Sequence, residues 1–297
     1  MIQNIPIERL KTVVELADEK GADEASRILG VTTGTIRRYR NEIKNRNKVK
    51  PVEEVVCTSK ILEFDRPKEI TSDEVIGIVG DLHTPFDHPN YLQFCIDTFK
   101  KYGVTKVVFI GDLVDGHAIS FHQSETSALS PTDEYSLAKR HVKKYVEAFP
   151  DAVVTLGNHD KIPVRQLATL GIPEIYLKSY NDLWEIPKTW QFVEEIIIND
   201  VYYFHGTGST GKTPAFNRAL YNRMSTVQGH AHSAFGCMYN ANARDIIFGL
   251  DVGCGILADA YAFAYGKPFP KKPILGCGVV FSSSQALAIP MGEKYFR

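Results

Sequence analysis

The sequence predicts a layered α/β domain preceded by a small all-α module. Three observations carry this. From Val75 onward, short apolar runs (IGIVG at 76–80, VVFIG at 107–111, AVVTLG at 152–157, VYYFHG at 201–206) alternate with helix-length segments such as 90–102 and 133–148. Strands alternating with helices stack as layers. Residues 8–29, by contrast, carry helical spacing. Between the two patterns, residues 46–60 turn polar and then charged around Pro51. The expected organisation is a helical module over 1–50, a linker over 51–70 and an α/β domain over 71–297.

Within the module, Leu10, Val13, Val14 and Ala17 fall on one helical face. Asp23–Leu29 reads as a second short helix, stopped at Gly30. Thr32 or Thr33 can cap a third, because a hydroxyl there accepts from an otherwise unpaired backbone N–H. Ile36, Tyr39 and Ile43 then share a face, leaving Arg37, Arg38, Arg40 and Lys44 for the others.

The chain has 297 residues, 44% of them hydrophobic and 23% charged. That mix excludes global disorder and a pure coiled coil. The formal charge of -1 hides an asymmetry. Residues 1–50 hold 11 basic against 7 acidic side chains, and 51–297 hold 23 against 28. The five cysteines (Cys57, Cys95, Cys237, Cys254, Cys277) form no CxxC and read as reduced thiols. No apolar run reaches the ~18 residues of a membrane span, and MIQNIPIERLK lacks the apolar centre of a signal peptide. A cytoplasmic protein without membrane contact is expected.

The apolar runs end in an ordered set of polar residues. Asp81 and His83 follow the first; Gly111, Asp112 and Asp115 the second; Gly157, Asn158, His159 and Asp160 the third; His205 the fourth. His230 and His232 form GHAH. Open α/β sheets build their sites at the carboxyl ends of strands. Imidazoles, an amide and carboxylates together suit Mn, Zn, Fe or Ni rather than Ca, and there are enough for two ions.

DLH, GDLVD, GNHD, HG and GHAH, in this order over about residues 75–255, resemble the calcineurin-like metallophosphoesterase superfamily. The stretch with LDVGCG and YAFAYG is similar to the phage and prophage branch. The resemblance implies a layered β-sandwich flanked by helices and two divalent metal ions, Mn first. Asp81, His83 and His232 would hold one ion, Asn158, His205 and His230 the other, and Asp112 would bridge both. His159 would be the general acid, oriented by Asp115. Gly116 follows GDLVD where the protein-phosphatase branch carries Arg, which lowers that reading. Asp160 reads as a turn-stabilising carboxylate, and His117 and His122 as ordinary loop residues.

GTGSTGKT at 206–213 also fits the phosphate-cradling P-loop pattern. Pro214 constrains its exit, and His205 is already needed among the metal-binding candidates. EASRILGVTTGTIRRYRNEI, residues 24–43, resembles a DNA-binding helix-turn-helix. Thr32, Thr33, Arg37 and Arg38 would then enter the major groove, with Arg40 and Lys44 among the phosphate contacts. The reading placed first is a two-metal phosphodiesterase or nuclease acting on or near DNA, with homo-oligomerisation open. The alternatives are a phosphatase or cyclic-nucleotide phosphodiesterase using the module for docking, and an inactive DNA-binding regulator.

Overall fold

The computed structural model describes residues 5–48, 67–121, 128–260, 262–263 and 270–295. Most of the expected linker (51–66), Cys57, His122 and most of the 261–266 motif lie outside them. Contacts divide the chain into two units, Met1–Asp65 and Arg66–Arg297.

The smaller unit contains α1 (Ile7–Lys20), α2 (Ala22–Leu29) and α3 (Thr33–Lys48). Leu10, Ala17, Ala25 and Ile36 are buried, and Val13, Leu16, Leu29 and Val31 pack around the last three of these. α2 ends at Gly30, in the left-handed conformation. Thr32 caps α3, its Oγ1 accepting from the Thr35 N–H at 3.1 Å.

The larger unit runs β1 (Lys68–Ile70), β2 (Ile76–Val79), α4 (Tyr91–Tyr102), β3 (Lys106–Phe109), α5 (Pro131–Ala148), β4 (Ala152–Thr155), α6 (Ile162–Thr169) and α7 (Tyr180–Trp184). It continues through β5 (Trp190–Val193), β6 (Glu195–Ile198), β7 (Val201–Phe204), α8 (Pro214–Asn222), β8 (Ser225–Gln228), β9 (Phe235–Ala241), β10 (Ile246–Val252), β11 (Gly276–Ser282) and β12 (Gln285–Pro290). Two six-stranded sheets result, ordered β12-β11-β2-β3-β4-β5 and β1-β6-β7-β8-β10-β9. β2 through β5 are mutually parallel, as are β7, β8 and β10.

The sheets pack face to face. Ile76, Ile78, Val108, Ile110 and Val153 of one meet Ile196, Ile198, Tyr203, Val227, Phe248 and Leu250 of the other. Successive strand residues point to opposite faces, so Val79, Val107, Phe109 and Val154 face outward. There they meet Tyr91, Phe94, Cys95 and Phe99 of α4 and Ala138, Val142 and Tyr145 of α5. Burial on both faces explains why the parallel strands read as unbroken apolar runs rather than alternating ones. α8 covers β8 and β10. Among the described residues no helix is long and apolar enough to cross a membrane.

Candidate metal centre

The parallel strands of both sheets deliver the polar residues to one place. Asp81 and His83 follow β2, Asp112 and Asp115 follow β3, Asn158 and His159 follow β4, His205 follows β7, and His230 and His232 follow β8. Main-chain hydrogen bonds join the loops: the His83 N–H donates to the Asp112 carbonyl at 2.8 Å and the Gly229 N–H to the His205 carbonyl at 3.0 Å. His83, Asp112 and His230 have positive φ of 51°, 48° and 64°. Each is a strained conformation for a side-chain-bearing residue, costing about 1–3 kcal/mol, and such strain gathers at functional sites.

The glycine before Asn158 is a steric requirement. A Cβ on Gly157 would lie 2.1 Å from Asp112 Oδ1, and one on Gly229 would lie 2.3 Å from Asp81 Oδ1. The backbone must pass that close for the donors to converge.

The donors fall into two overlapping sets. His232 Nε2 lies 3.2 Å from Asp81 Oδ2 and 3.2 Å from His83 Nε2. His205 Nε2 lies 3.2 Å from Asn158 Oδ1 and 3.2 Å from His230 Nδ1. Asp112 Oδ2 stands between them, 3.5 Å from His83 Nε2 and 3.2 Å from His205 Nε2. Asp81, His83 and His232, and separately Asp112, His205 and His230, have the spacing of metal ligands.

The tautomers show why a cation fits. His83 Nδ1 donates to Asp115 Oδ1 at 2.6 Å, and His205 Nδ1 donates to the Ile110 carbonyl at 2.9 Å. In the neutral ring each then turns a lone pair at Nε2 toward the other acceptors. Asp81 Oδ1 is buried without a hydrogen-bond partner. Lone pairs and carboxylates facing one another in a dry pocket need positive charge among them. The proton equilibria agree. Burial opposes charge on His205, yet Asp112 beside it and Asp81 raise its pKa to about 10. Burial also opposes charge on Asp112, but His205, His83 and His159 hold its pKa well below the usual carboxylate range. His230 is pushed down by its burial and by His205.

His159 sits at the mouth, its side chain 22% exposed where that of His83 is 1%. Its N–H donates to Asp112 Oδ1 at 2.8 Å. Asp115 orients it differently from the sequence expectation. His159 Nδ1 donates to the Asp115 main-chain carbonyl at 2.7 Å, while the carboxylate, 3.5 Å away, is taken by His83. A left-handed Gly116 directly after Asp115 turns the chain so that carbonyl and side chain serve two different imidazoles. Asp160 accepts from the Gly157 and Val114 N–H groups, tying the two loops together.

Sequence reasoning passed over the apolar wall. Phe263 sets its ring edge-on to His83 at 5.4 Å and to His232 at 6.4 Å, and packs with Phe86, Cys254 and Ile256. After the GTGSTGKT loop, the start of α8 is already occupied. Asp251 Oδ1 accepts from the Ala215 N–H at 3.2 Å, so a carboxylate of the same chain fills the helix N-terminus where a phosphate would bind.

Of the proposed DNA contacts, Thr32, Thr33, Arg37, Arg38 and Lys44 are exposed. Thr33, Arg37 and Lys44 share one face of α3. Arg40 does not stand free. It is half-buried and ion-paired with Asp18 of α1, one turn from the buried Ile36.

The calcineurin-like phosphoesterase family model matches residues 75–247, a span that holds all of these donors. The chain belongs to that family. It is a metal-dependent phosphoester hydrolase. Distant solved structures include vacuolar protein sorting 29 from Cryptosporidium parvum (12% identity, 69% of this chain and 83% of that one, TM-score 0.36). Another is YfcE, a phosphoesterase from E. coli (15% identity, 69% and 87%, TM-score 0.31). No curated protein matches the sequence.

Proposed function

We propose that this phosphoesterase is a phosphodiesterase or nuclease that works at a two-ion centre on or near DNA. The observation that carries the reading is Asp112, whose carboxylate stands between two sets of donors. Asp81, His83 and His232 would hold one ion and Asn158, His205 and His230 the other, with Asp112 shared. Mn²⁺ is the first candidate, ahead of Zn, Fe or Ni. When bound, such a pair supplies Lewis acidity toward water and phosphate oxygens. The chain's own residues supply the rest. His159 stands at the exposed side, where a leaving oxygen would depart, and would protonate it. The Asp115 carbonyl takes Nδ1 of that ring and so leaves Nε2 for the leaving oxygen, and Asp115's carboxylate holds His83. Phe263 forms an apolar flank beside His83 and His232, with Phe86 packed behind it.

The exposed basic face of α3 supports DNA as the polymer. Thr32, Thr33, Arg37 and Arg38 would meet the groove, and Lys44 the phosphates.

The test compares bis-p-nitrophenyl phosphate, p-nitrophenyl phosphate, DNA and cyclic nucleotides with Mn²⁺, using wild type, Asp112→Ala and His159→Ala. Turnover of every diester should be lost in Asp112→Ala, and DNA turnover should be lost in His159→Ala, with the p-nitrophenyl diester less affected there. Equal rates in all three proteins would overturn the site, and turnover confined to monoesters would favour a phosphatase. Salt-dependent DNA binding should weaken in Lys44→Ala, its log–log slope falling by about 1. An unchanged slope would remove Lys44 from the phosphate contacts.

A further inference from the structure

The loops after β3 and β4 carry an exposed pair that the metal centre does not use. The Arg165 guanidinium lies over the Phe121 ring, 4.9 Å from its centroid. Phe121 is 50% exposed and the neighbouring Ile119 is 37% exposed. Among the described residues Arg165 has no carboxylate within ion-pair distance.

This pair is built onto the general-acid position. The Asp115 carbonyl that holds His159 is followed at once by Gly116, whose carbonyl accepts from the Ile119 N–H at 3.1 Å. On the other side, the His159 carbonyl accepts from the Ile162 N–H at 3.0 Å, which starts α6. Gln166 of α6 closes the circuit by donating to the Ile119 carbonyl at 2.6 Å. Arg165 is thus held on a segment that begins at His159, and Phe121 on one that begins at the Asp115 carbonyl bonded to His159.

We infer that Phe121 and Arg165 form a stacking platform for a nucleobase on the leaving-group side of the centre, so the substrate is a nucleic-acid strand with unpaired bases. This rests on the phosphodiesterase reading above. An aromatic face offers a base the contact area it loses on unstacking, and every base has such a face. A guanidinium stacks on an aromatic plane and still directs N–H groups at a phosphate. A base inside a duplex is covered on both faces by its neighbours, so the platform selects single strands or frayed ends.

The test measures binding of the full-length protein to a labelled oligothymidylate and to an abasic strand of equal length and charge. Wild type should prefer the base-bearing strand by roughly 5- to 100-fold. Phe121→Ala should bring that ratio close to one without changing the affinity for the abasic strand, and Phe121→Trp should restore it. Thermal melting and metal content show whether the variants fold and load. A ratio near one in wild type, or one that survives Phe121→Ala, overturns the platform. So does a Phe121→Ala protein that keeps the ratio but changes its sedimentation, because the patch is then a protein contact. A base-dependent ratio in a protein that hydrolyses no phosphodiester supports the platform and overturns the phosphodiesterase reading instead.

Discussion

His83 Nδ1 donates to the Asp115 carboxylate across 2.6 Å, with both side chains almost wholly buried. That bond decides which ring nitrogen keeps its lone pair, and it aims Nε2 at Asp112 and His232. A carboxylate behind a ligating imidazole also raises the ring's basicity.

Asp115→Asn keeps the shape and removes the charge. Metal affinity should fall about 10- to 100-fold, with activity partly recovered at high metal concentration. Titration of activity against Mn²⁺, alongside metal analysis, reads this. An unchanged half-saturation would mean that the bond is structural only.

His159→Ala should separate protonation from metal binding. Bound metal should stay as in wild type. Activity on a substrate with an alkoxide leaving group should drop about 10²- to 10⁴-fold. A p-nitrophenolate leaves without a proton, so activity on that ester should drop much less. Equal losses on both leaving groups would count against a general acid.

Gly157→Ala places a methyl group where Asp112 Oδ1 now sits. The Asp112 backbone N lies only 2.5 Å from the same position, so the Asp112 backbone must move with its side chain. The chain should still fold, destabilised by about 1–3 kcal/mol, but lose metal from both donor sets. Metal content and Tm measured together check this, and full loading would show that the loop can yield.

Asp251 gives a pH dependence outside the metal centre. Its burial raises its pKa from 3.8 to about 7, against one opposing hydrogen bond from Ala215. The folded chain therefore holds this proton more tightly than the unfolded chain. The cost of ionising it is absent below about pH 4, grows as pH rises toward 7 and is complete above that. Asp251→Asn keeps the acceptor oxygen and removes the charge. It should be more stable than wild type by a few kcal/mol, to order of magnitude, at pH 8, with the gap closing by pH 4. Parallel Tm profiles across that range would contradict it.

The local chemistry was legible in the sequence. Asp81, Asp112, Asn158 and His205 each follow an apolar run, because parallel strands buried on both faces are read as such and their ends are where side chains can converge. The first helix of the module was legible for a similar reason: Leu10 and Ala17, both buried, repeat with the helical period.

What each residue does once there was decided by tertiary structure. The sequence could place Asp115 near His159, but only the turn at Gly116 divides its carbonyl and carboxylate between two imidazoles. It could show GTGSTGKT followed by a helix, but not that Asp251, 36 residues beyond Ala215, fills the helix N-terminus. It could not insert β11 beside β2, pairing Cys277 with Val79, nor bring Arg165 over Phe121. Donor type and strand ending are properties of short segments, set by side-chain chemistry and periodicity. Partner choice depends on register, on backbone turns and on contacts between residues far apart in the chain, and only the closed sandwich selects among those.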